Sequence, residues 1–438
     1  MPLQSKIASK DATVGVVGLG YVGLPLALAF ARGGYRTIGL DIDAAKPDAL
    51  RAGRSYLEHI PSDHVAAALA SGNLDATTDF NRIADCDAVI LCVPTPLDEH
   101  FEPDLSYVTG TLDAVVPHMH PGQLISLEST TYPGTTEEEV VPRVEALGLR
   151  VGVDTFVVYS PEREDPGNPH FAATNIPKVV GGVTPACRDA GTALYGAVFD
   201  RVVPVSSCQV AELTKLLENI FRAVNIGLVN ELKVAADRMG IDIWEVIAAA
   251  ATKPFGFTPF FPGPGLGGHC IPIDPFYLTW KARQFGVHTR FIELAGEINR
   301  SMPDYVVHRT MEALNSRGKP VKGSRILLLG LAYKADVDDM RESPTFSLMD
   351  KFHALGAEVS YHDPHVPAIG PTREHAAWQG TASAPWDEHT IRAADCVVIA
   401  TAHKRFRLDQ LADWADLIVD TRNAMAAVPT SPGQVVKA

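Results

Sequence analysis

One cysteine lies in a loop whose composition is unsuited to regular structure. Cys270 falls in the segment 262–275, PGPGLGGHCIPIDP, which holds four glycines and four prolines. Glycines let the backbone approach a ligand closely, and prolines reduce the entropy that a loop loses when it closes over one. Asp274 lies four residues further on, so the segment combines a nucleophile with a proton acceptor. The pattern is equally consistent with a solvent-exposed turn whose cysteine has no role.

A lysine and an asparagine share one face of a predicted long helix. Lys215 and Asn219 are four residues apart, about one helical turn, so their side chains point to the same side. An ammonium group and an amide donor aimed at one oxygen would stabilise negative charge that develops there. A solvated helix cation is the alternative interpretation of Lys215.

The N-terminal segment has the order of a dinucleotide-binding fold. A predicted strand, 13–17, runs into the sequence GLGYVG and then into a predicted helix, 24–31. The next predicted strand, 35–40, ends at Asp41, 18 residues after Gly23, where a carboxylate accepts hydrogen bonds from an adenosine ribose. An acid at this position favours NAD over NADP. The turn residues predicted to contact the cofactor are Gly18, Gly20, Tyr21, Val22 and Gly23.

Polar turns follow the next predicted strands. Strands are predicted at 87–93, 123–128 and 156–159, and each runs into polar or charged residues. Open α/β sheets bind their ligands at the carboxyl ends of the strands, so these turns are predicted to line a ligand site. The residues concerned are Pro94, Thr95, Thr130, Glu162 and Arg163.

The remainder divides into a helical middle and a second α/β part. Long helical periodicity dominates residues 206–304, and a second copy of the chain is the simplest apolar partner for such a helix. The α/β pattern returns in 305–438, with strands predicted at 325–330, 358–361, 396–400 and 417–420. The predicted fold class is α/β, with two Rossmann-like doubly wound domains, 1–205 and 305–438, joined by a central long-helix dimerisation domain, 206–304.

The second α/β part departs from the first after its initial strand. The turn there reads GLAYK and lacks the third glycine, so it would not hold a dinucleotide's pyrophosphate in the same way. Lys334 and Arg341 follow this turn and could meet a different phosphate. A solvated surface cation is the alternative interpretation of each.

Charge and hydropathy exclude several classes of function. The 438 residues carry 38 basic and 52 acidic side chains, a net charge of −14, which disfavours nucleic acid and anionic membrane partners. The N-terminus has no apolar signal segment, and no apolar run is long enough to span a bilayer. The six cysteines are therefore expected to be free thiols in a cytoplasmic protein.

Taken in order, these features resemble the nucleotide-sugar 6-dehydrogenases over nearly the whole chain. The sequence is most similar to that of the UDP-N-acetylglucosamine 6-dehydrogenases in four motifs: ESTTYPGTT (128–136), SPER (160–163), KLLEN (215–219) and GGHCIP (267–272). The resemblance implies oxidation of the C6 alcohol of a UDP-sugar to a carboxylate, with two NAD molecules used in turn. A thiol is needed because a free aldehyde would hydrate or escape, whereas thiolate addition gives a hemithioacetal that can be oxidised to a thioester.

The same resemblance implies roles for individual residues. Cys270 matches the nucleophile, whose ordinary pKa of about 8.5 must fall unless a base takes the proton; His269 and Lys215 are candidates to assist. Lys215 and Asn219 match the pair that binds charge on the C6 oxygen. Asp274 matches an acid beside the thiol, Glu162 a group that activates water, and Thr130 a hydroxyl near the nicotinamide. The predicted substrate contacts are Glu162, Arg163, Lys215, Asn219, Phe261, Gly267, Lys334 and Arg341, and no metal is expected.

Several alternatives stay open. Many family members carry a second glutamate after the one matching Glu162, and either Glu164 or Asp165 could fill that place. His269 replaces a tyrosine or serine of glucose-specific relatives, which disfavours UDP-glucose without excluding it, and UDP-N-acetylmannosamine and UDP-N-acetylgalactosamine also stay open. A two-electron hydroxyacid dehydrogenase would release one NADH per substrate and a non-catalytic NAD-sensing module none, against two for the preferred reaction. The acidic product implies a role in making a surface polysaccharide or glycan.

Overall fold

The computed structural model describes residues 2–57, 60–98, 102–164, 173–268, 271–372 and 374–438. The chain divides into two compact units, Met1–Glu218 with Phe276–His288, and Asn219–Pro275 with Thr289–Ala438. No helix formed by the described residues has both the length and the hydropathy that crossing a membrane requires.

The first unit is built on an eight-stranded sheet. Its strands are β1 (Thr13–Val17), β2 (Arg36–Leu40), β3 (Leu74–Thr77), β4 (Ala88–Leu91), β5 (Leu124–Leu127), β6 (Phe156–Tyr159), β7 (Lys178–Gly182) and β8 (Val202–Pro204). The order β3-β2-β1-β4-β5-β6-β7-β8 contains the 3-2-1-4-5-6 arrangement of the Rossmann fold. The first seven helices are α1 (Leu3–Ser9), α2 (Gly23–Arg32), α3 (Ala45–Arg51), α4 (Ser62–Ala70), α5 (Ser106–Val115), α6 (Val141–Glu145) and α7 (Pro185–Gly196).

The strands at the centre of this sheet are buried on both faces. Every residue of β1, β4 and β5 is buried, as expected for parallel strands that helices cover on both sides. The register brings the carboxyl ends of these strands and of β6 to one level. The aligned terminal residues are Val17, Leu91, Leu127 and Tyr159. The turns that follow them therefore share one edge of the sheet.

The second unit contains a parallel sheet of five strands. These are β9 (Arg325–Leu329), β10 (Glu358–His362), β11 (Cys396–Ile399), β12 (Ile418–Asp420) and β13 (Val435–Lys437). The prediction of a second doubly wound sheet is confirmed, but the order β10-β9-β11-β12-β13 is 2-1-3-4-5, the flavodoxin-like arrangement. Of the later helices, α8 (Cys208–Met239) contributes residues to both units and α10 (Asp274–Gln284) belongs mainly to the first unit. The others belong to the second unit: α9 (Ile243–Ala251), α11 (Arg290–Asn315), α12 (Pro344–Ala354), α13 (Glu388–Ala393) and α14 (Leu408–Trp414).

Candidate active site

The glycine-rich turn after β1 has the backbone geometry of a dinucleotide site. Gly18 has a φ of +91°, and a Cβ there would lie 2.4 Å from the carbonyl oxygen of Cys92. A Cβ on Gly23 would lie 1.8 Å from the carbonyl oxygen of Gly18, so α2 begins directly against the turn. At Gly20, by contrast, a Cβ would meet none of the described residues within 4 Å. Gly18 and Gly23 thus close the turn, and Gly20 leaves room for a pyrophosphate at the N-terminus of α2.

Asp41 is buried at the end of β2 and holds this turn in place. Its Oδ2 accepts hydrogen bonds from the backbone N–H of Leu19 and from Lys46 Nζ, both at 2.8 Å. Its Oδ1 accepts from the N–H of Asp43 at 3.0 Å. The carboxylate is therefore fixed beside the glycine-rich turn, where recognition of an adenosine ribose requires it.

The turns after β4 and β5 are joined by two reciprocal hydrogen bonds. Ser129 Oγ donates to the carbonyl oxygen of Val93 at 2.7 Å and accepts from its N–H at 3.1 Å. The buried Thr95 presents its carbonyl oxygen to the hydroxyl of Tyr277, which donates at 2.7 Å. The structure thus brings the predicted cofactor contacts after these strands to the edge of the sheet that holds the glycine-rich turn. These contacts are Pro94, Thr95 and Thr130.

Glu162 belongs to a buried ion cluster at the same edge. Lys178 Nζ lies 2.7 Å from Glu128 Oε2 and 3.0 Å from Glu162 Oε2. Oε1 of Glu162 accepts hydrogen bonds from the N–H groups of Arg163 and Glu164, each at 2.7 Å. Burial by itself would raise the pKa of Glu162, but Lys178 and the two N–H groups outweigh it and lower that pKa. Glu162 is therefore an ionised carboxylate, as a general base must be.

The start of α8 is anchored to the loop that follows Thr130. The buried carboxylate of Glu212 accepts hydrogen bonds from the N–H of Gly134 at 2.6 Å, the N–H of Thr136 at 3.0 Å and the hydroxyl of Thr136 at 2.7 Å. Burial raises the pKa of Glu212 to about 7 against these hydrogen bonds, which lower it. Glu212 thus links the Thr130 turn to the helix that carries Lys215.

Lys215 and Asn219 are both buried on α8. Lys215 is 8% exposed, and within the described part of the chain its ammonium group forms no ion pair. Asn219 Nδ2 donates to Asp274 Oδ2 at 2.5 Å, so the structure brings two of the predicted catalytic residues into contact. A buried ammonium without a carboxylate partner is costly until an anion approaches. This arrangement suits the stabilisation of an oxyanion.

Arg163 joins the strand end after β6 to α8. Its guanidinium makes two hydrogen bonds with the carboxylate of Glu218, at 2.6 and 3.1 Å, and donates to the carbonyl oxygen of Pro177 at 2.7 Å. All three guanidinium nitrogens of Arg163 thus donate hydrogen bonds to oxygen atoms of the protein. A contact between this side chain and the substrate stays a prediction.

The predicted nucleophile, Cys270, and His269 lie outside the described residues. The thiol loop, residues 262–275, is described on both sides of them. A Cβ on Gly267 would lie 2.7 Å from Tyr333 Cβ and 3.0 Å from the carbonyl oxygen of Glu342. The glycine at this position is therefore required for the loop to pack closely against the segment after β9.

The other predicted substrate contacts have different environments. The N–H of Gly268 donates to the carbonyl oxygen of Arg341 at 3.2 Å, so Arg341 lies beside the thiol loop, with its side chain paired to Asp339 at 2.6 Å. Lys334 is half-buried in the same segment. Phe261 is exposed and stacks on Trp244, with ring centroids 5.8 Å apart.

Sequence reasoning did not find four charged residues near the predicted site: Glu128, Lys178 and Glu212, which are buried, and Arg422, which is half-buried. Arg422 follows β12, and its Nε donates to the carbonyl oxygen of Ala400 at 2.8 Å. A Cβ on Gly263 of the thiol loop would lie 2.3 Å from Arg422 Nη1. Burial lowers the pKa of Arg422 to about 10. For Arg422, a charge two residues after a predicted strand was the available signal, and a half-buried guanidinium at a strand end suits a phosphate.

One group of described residues approaches the spacing of a metal site. Asp336, His365 and His403 each place one ligand atom within 4.8 Å of the others. However, His403 Nδ1 accepts a hydrogen bond from the N–H of Asp336 at 2.9 Å, and its Nε2 lies 3.1 Å from Asp363 Oδ2. Both ring nitrogens of His403 are thus engaged within the protein.

Comparison with known families matches the chain in three parts. Residues 12–199 match the NAD binding domain of the UDP-glucose/GDP-mannose dehydrogenase family. Residues 209–301 match the central domain of that family, and residues 327–427 match its UDP binding domain.

Individual relatives match over nearly their whole length. UDP-N-acetyl-D-glucosamine 6-dehydrogenase of Pseudomonas aeruginosa is 37% identical over 401 residues, which cover 91% of this chain and 92% of that protein. NDP-N-acetyl-D-galactosaminuronic acid dehydrogenase of Ralstonia nicotianae is 34% identical over 427 residues, with 95% and 96% coverage. Among solved structures, the UDP-D-ManNAc dehydrogenase of Pyrococcus horikoshii superposes with a TM-score of 0.87 at 31% identity, covering 97% of this chain and 98% of that one.

Proposed function

Since the chain belongs to the UDP-glucose/GDP-mannose dehydrogenase family and is an NAD-dependent UDP-sugar dehydrogenase, we propose that it oxidises the C6 alcohol of UDP-N-acetylglucosamine to the carboxylate. The observation that carries this proposal is the buried ammonium of Lys215, which has no carboxylate partner among the described residues and lies one helical turn before Asn219. These two groups suit the negative charge that develops on the C6 oxygen.

The proposed reaction removes two hydrides from C6 in succession. Each hydride is transferred to a different NAD molecule, and the two NAD molecules bind in turn. In the first oxidation the C6 hydroxyl also loses its proton, giving an aldehyde. The thiolate of Cys270 adds to this carbonyl carbon, and oxidation of the resulting hemithioacetal leaves a thioester. Water, which gives its proton to Glu162, then cleaves the C–S bond and releases the carboxylate and the thiol. Asp274, which accepts from Asn219, would order the groups around the thiol.

The choice of sugar is supported by the relatives and tested by a substrate panel. The Pseudomonas relative is named for UDP-N-acetylglucosamine, whereas others are named for N-acetylgalactosaminuronic acid or N-acetylmannosamine. We expect the highest kcat/KM with UDP-N-acetylglucosamine in a panel that also contains UDP-N-acetylmannosamine, UDP-N-acetylgalactosamine and UDP-glucose. Two NADH per sugar are expected, and one NADH per sugar would contradict the covalent route.

We expect Asp41→Asn to weaken NAD binding and to reduce the preference for NAD over NADP. The amide oxygen can still accept the hydrogen bond from Leu19, but the amide nitrogen cannot accept the one from Asp43, and the side chain loses the negative charge that ribose hydroxyls would contact. A hydrogen bond to a charged group contributes about 1.5–3 kcal/mol, so KM for NAD should rise by about 10-fold or more. Steady-state kinetics with NAD and NADP measure this.

Lys46→Gln is the matched control for Asp41→Asn. Lys46 contacts Asp41 from the partly exposed side, so its loss should change KM for NAD less than the loss of the carboxylate charge. Equal cofactor preference in Asp41→Asn and the wild type would exclude Asp41 from ribose recognition.

An apolar stripe on α8 supports a homodimer. Six hydrophobic residues on one side of the helix are 41–62% exposed. They are Val210, Leu213, Leu217, Phe221, Leu228 and Leu232. Their spacing of three, four or seven residues places them on a single face, which a second copy of the chain would cover.

We expect Leu228→Glu to give a monomer, because a carboxylate would have to be buried in the proposed interface. Light scattering after size-exclusion chromatography measures the mass. Arg222→Glu, an exposed position on another face of α8, should leave the dimer intact. A dimer that persists in Leu228→Glu would place the interface elsewhere.

A cytoplasmic location is also proposed. The reaction needs a reduced thiol, and the cysteines of the described residues are all unpaired, which supports a reducing compartment.

A further inference from the structure

We propose that Lys178 is a positioning residue for thioester hydrolysis: its ammonium group, clamped between Glu128 and Glu162, orients the Glu162 carboxylate and keeps it ionised. This inference rests on the proposed role of Glu162 as the base. The side chains of Lys178 and Glu128 are 3% and 0% exposed, so the clamp lies inside the protein, while Glu162 is 13% exposed at its rim. Only the carboxylate at the rim is placed to meet a water molecule.

The fold explains why a lysine reaches this edge. Among the described strand pairs of the first sheet, β6 and β7 are antiparallel. A strand that runs against its neighbour begins where the neighbour ends, so the first residue of β7 lies at the carboxyl edge of β6. Continuing the pairing of Tyr159 with Gly181 outward by three residues sets Glu162 opposite Lys178. The hydrogen bond from Ser160 Oγ to the carbonyl oxygen of Val179, at 2.8 Å, holds this extension together.

The far side of the ammonium group is closed by aromatic rings and by a second acid. Lys178 Nζ lies 5.4 Å from the ring centroid of Tyr195 and 5.2 Å from that of Phe199, within cation–π range. The hydroxyl of Tyr195 donates to Glu128 Oε1 at 2.6 Å. Glu128 and these rings therefore fix the position of Lys178, and Lys178 in turn fixes Oε2 of Glu162.

The two acids of the clamp differ in the way that the proposal requires. Burial and the negative charge of Glu162 together raise the pKa of Glu128 by more than Lys178 and Tyr195 lower it, whereas the pKa of Glu162 is lowered. A proton taken up by the cluster thus goes first to Glu128. The other charged or titratable groups near the cluster are Cys92 after β4, Tyr195 on α7, and Arg163 with its partner Glu218 on α8.

Removing the ammonium group should move the acid limb of hydrolysis to higher pH. Glu162 acts only when ionised, so the rate falls as pH drops through its pKa. Without Lys178 the burial of Glu162 would be less opposed, and its pKa would rise. In Lys178→Met we expect the two NADH of the first turnover to appear rapidly, while steady-state turnover falls by about 100-fold. The acid limb should move up by at least about one pH unit, and turnover should partly recover at high pH.

Three further variants make the test specific. Lys178→Arg keeps the charge and should restore most of the steady-state rate and the position of the acid limb. Lys178→Met combined with Glu128→Gln removes the buried acid left unpaired, so it should fold even if the single variant does not, and it should show the same hydrolytic defect. Lys233→Met removes another buried lysine, which pairs with Asp237 at 2.5 Å, and should leave the pH profile unchanged.

The measurements are stopped-flow NADH formation and steady-state pH profiles, with the UDP-sugar that gives the highest kcat/KM in the panel. A folded Lys178→Met or double variant with the wild-type pH profile would overturn the proposal, as would a proportional loss of the first-turnover and steady-state phases. If the wild type itself releases one NADH per sugar, the proposed function fails instead. If the wild type releases two NADH and the pH profile does not move, only the role of Lys178 fails.

Discussion

Replacement of Cys270 by serine should abolish formation of the sugar acid while leaving NAD and UDP-sugar binding nearly unchanged. A hydroxyl is a far weaker nucleophile than a thiolate at neutral pH, so the aldehyde would not be captured for the second oxidation. Loss of an attacking nucleophile typically costs on the order of 10⁴-fold or more in kcat. The acid product is quantified by chromatography and binding by calorimetry. Wild-type acid formation in Cys270→Ser would exclude covalent catalysis.

Cys86→Ser is the matched control for this experiment. Burial raises the pKa of the Cys86 thiol to about 12, so this thiol is a poor nucleophile. Its Sγ lies 3.5 Å from the carbonyl oxygen of Arg82, and a serine hydroxyl can donate to the same oxygen. We therefore expect Cys86→Ser to retain wild-type activity, and a comparable loss in both variants would point to general sensitivity of the fold to cysteine replacement.

The part of the site on the first sheet was predictable because it depends on local sequence. Buried parallel strands appear as apolar runs, so the positions of β1, β4 and β5 could be read directly. Positions 18 and 23 require glycine for steric reasons, since a Cβ at either would overlap backbone atoms. Any chain with this strand, turn and helix pattern shares that requirement. Parallel strands end at one edge, and the turns carrying Thr95 and Thr130 were expected together for that reason.

The ion cluster behind Glu162 was not predictable in the same way. Lys178 and Glu128 are 50 residues apart, and their contact requires β7 to run antiparallel to β6. A short run such as Lys178-Val179-Val180 indicates a strand but contains no signal for its direction. Because β7 runs antiparallel to β6, Lys178 at its start lies at the carboxyl edge of the sheet, beside Glu162. In a parallel β7, the same residue would lie at the opposite edge.

The acid at the end of the second strand has a structural role in both sheets. Asp41 accepts from the N–H of Leu19 at 2.8 Å, and Asp363 accepts from the N–H of Leu331 at 2.7 Å. Each carboxylate thus holds the turn that follows the first strand of its own sheet. Because the second turn has Ala332 and Ala335 where the first has Gly20 and Gly23, the shared acid alone does not indicate a dinucleotide site. The open space at Gly20 is the observation that distinguishes the first turn.

Glu162→Gln should convert the enzyme into one that completes both oxidations and then stops at the thioester. Neither hydride removal needs a carboxylate at this position, but water attack on the thioester does. We expect about two NADH per active site in a rapid phase, followed by steady-state turnover lowered by roughly 10²–10⁴-fold. Mass spectrometry of the quenched enzyme should find the sugar acyl group on the peptide that contains Cys270. Rapid-phase amplitude and acyl-peptide yield should agree.

The neighbouring acid makes this experiment decisive about which carboxylate activates water. Glu164 contributes its N–H to Glu162 Oε1 at 2.7 Å, so its side chain can be changed without removing that hydrogen bond. If Glu162 is the base, Glu164→Gln should retain most of the steady-state turnover and accumulate no acyl-enzyme. Accumulation in Glu164→Gln, with normal turnover in Glu162→Gln, would transfer the role to Glu164. Because both glutamates belong to the same strand end, that outcome would keep the covalent route and change only the carboxylate that completes it.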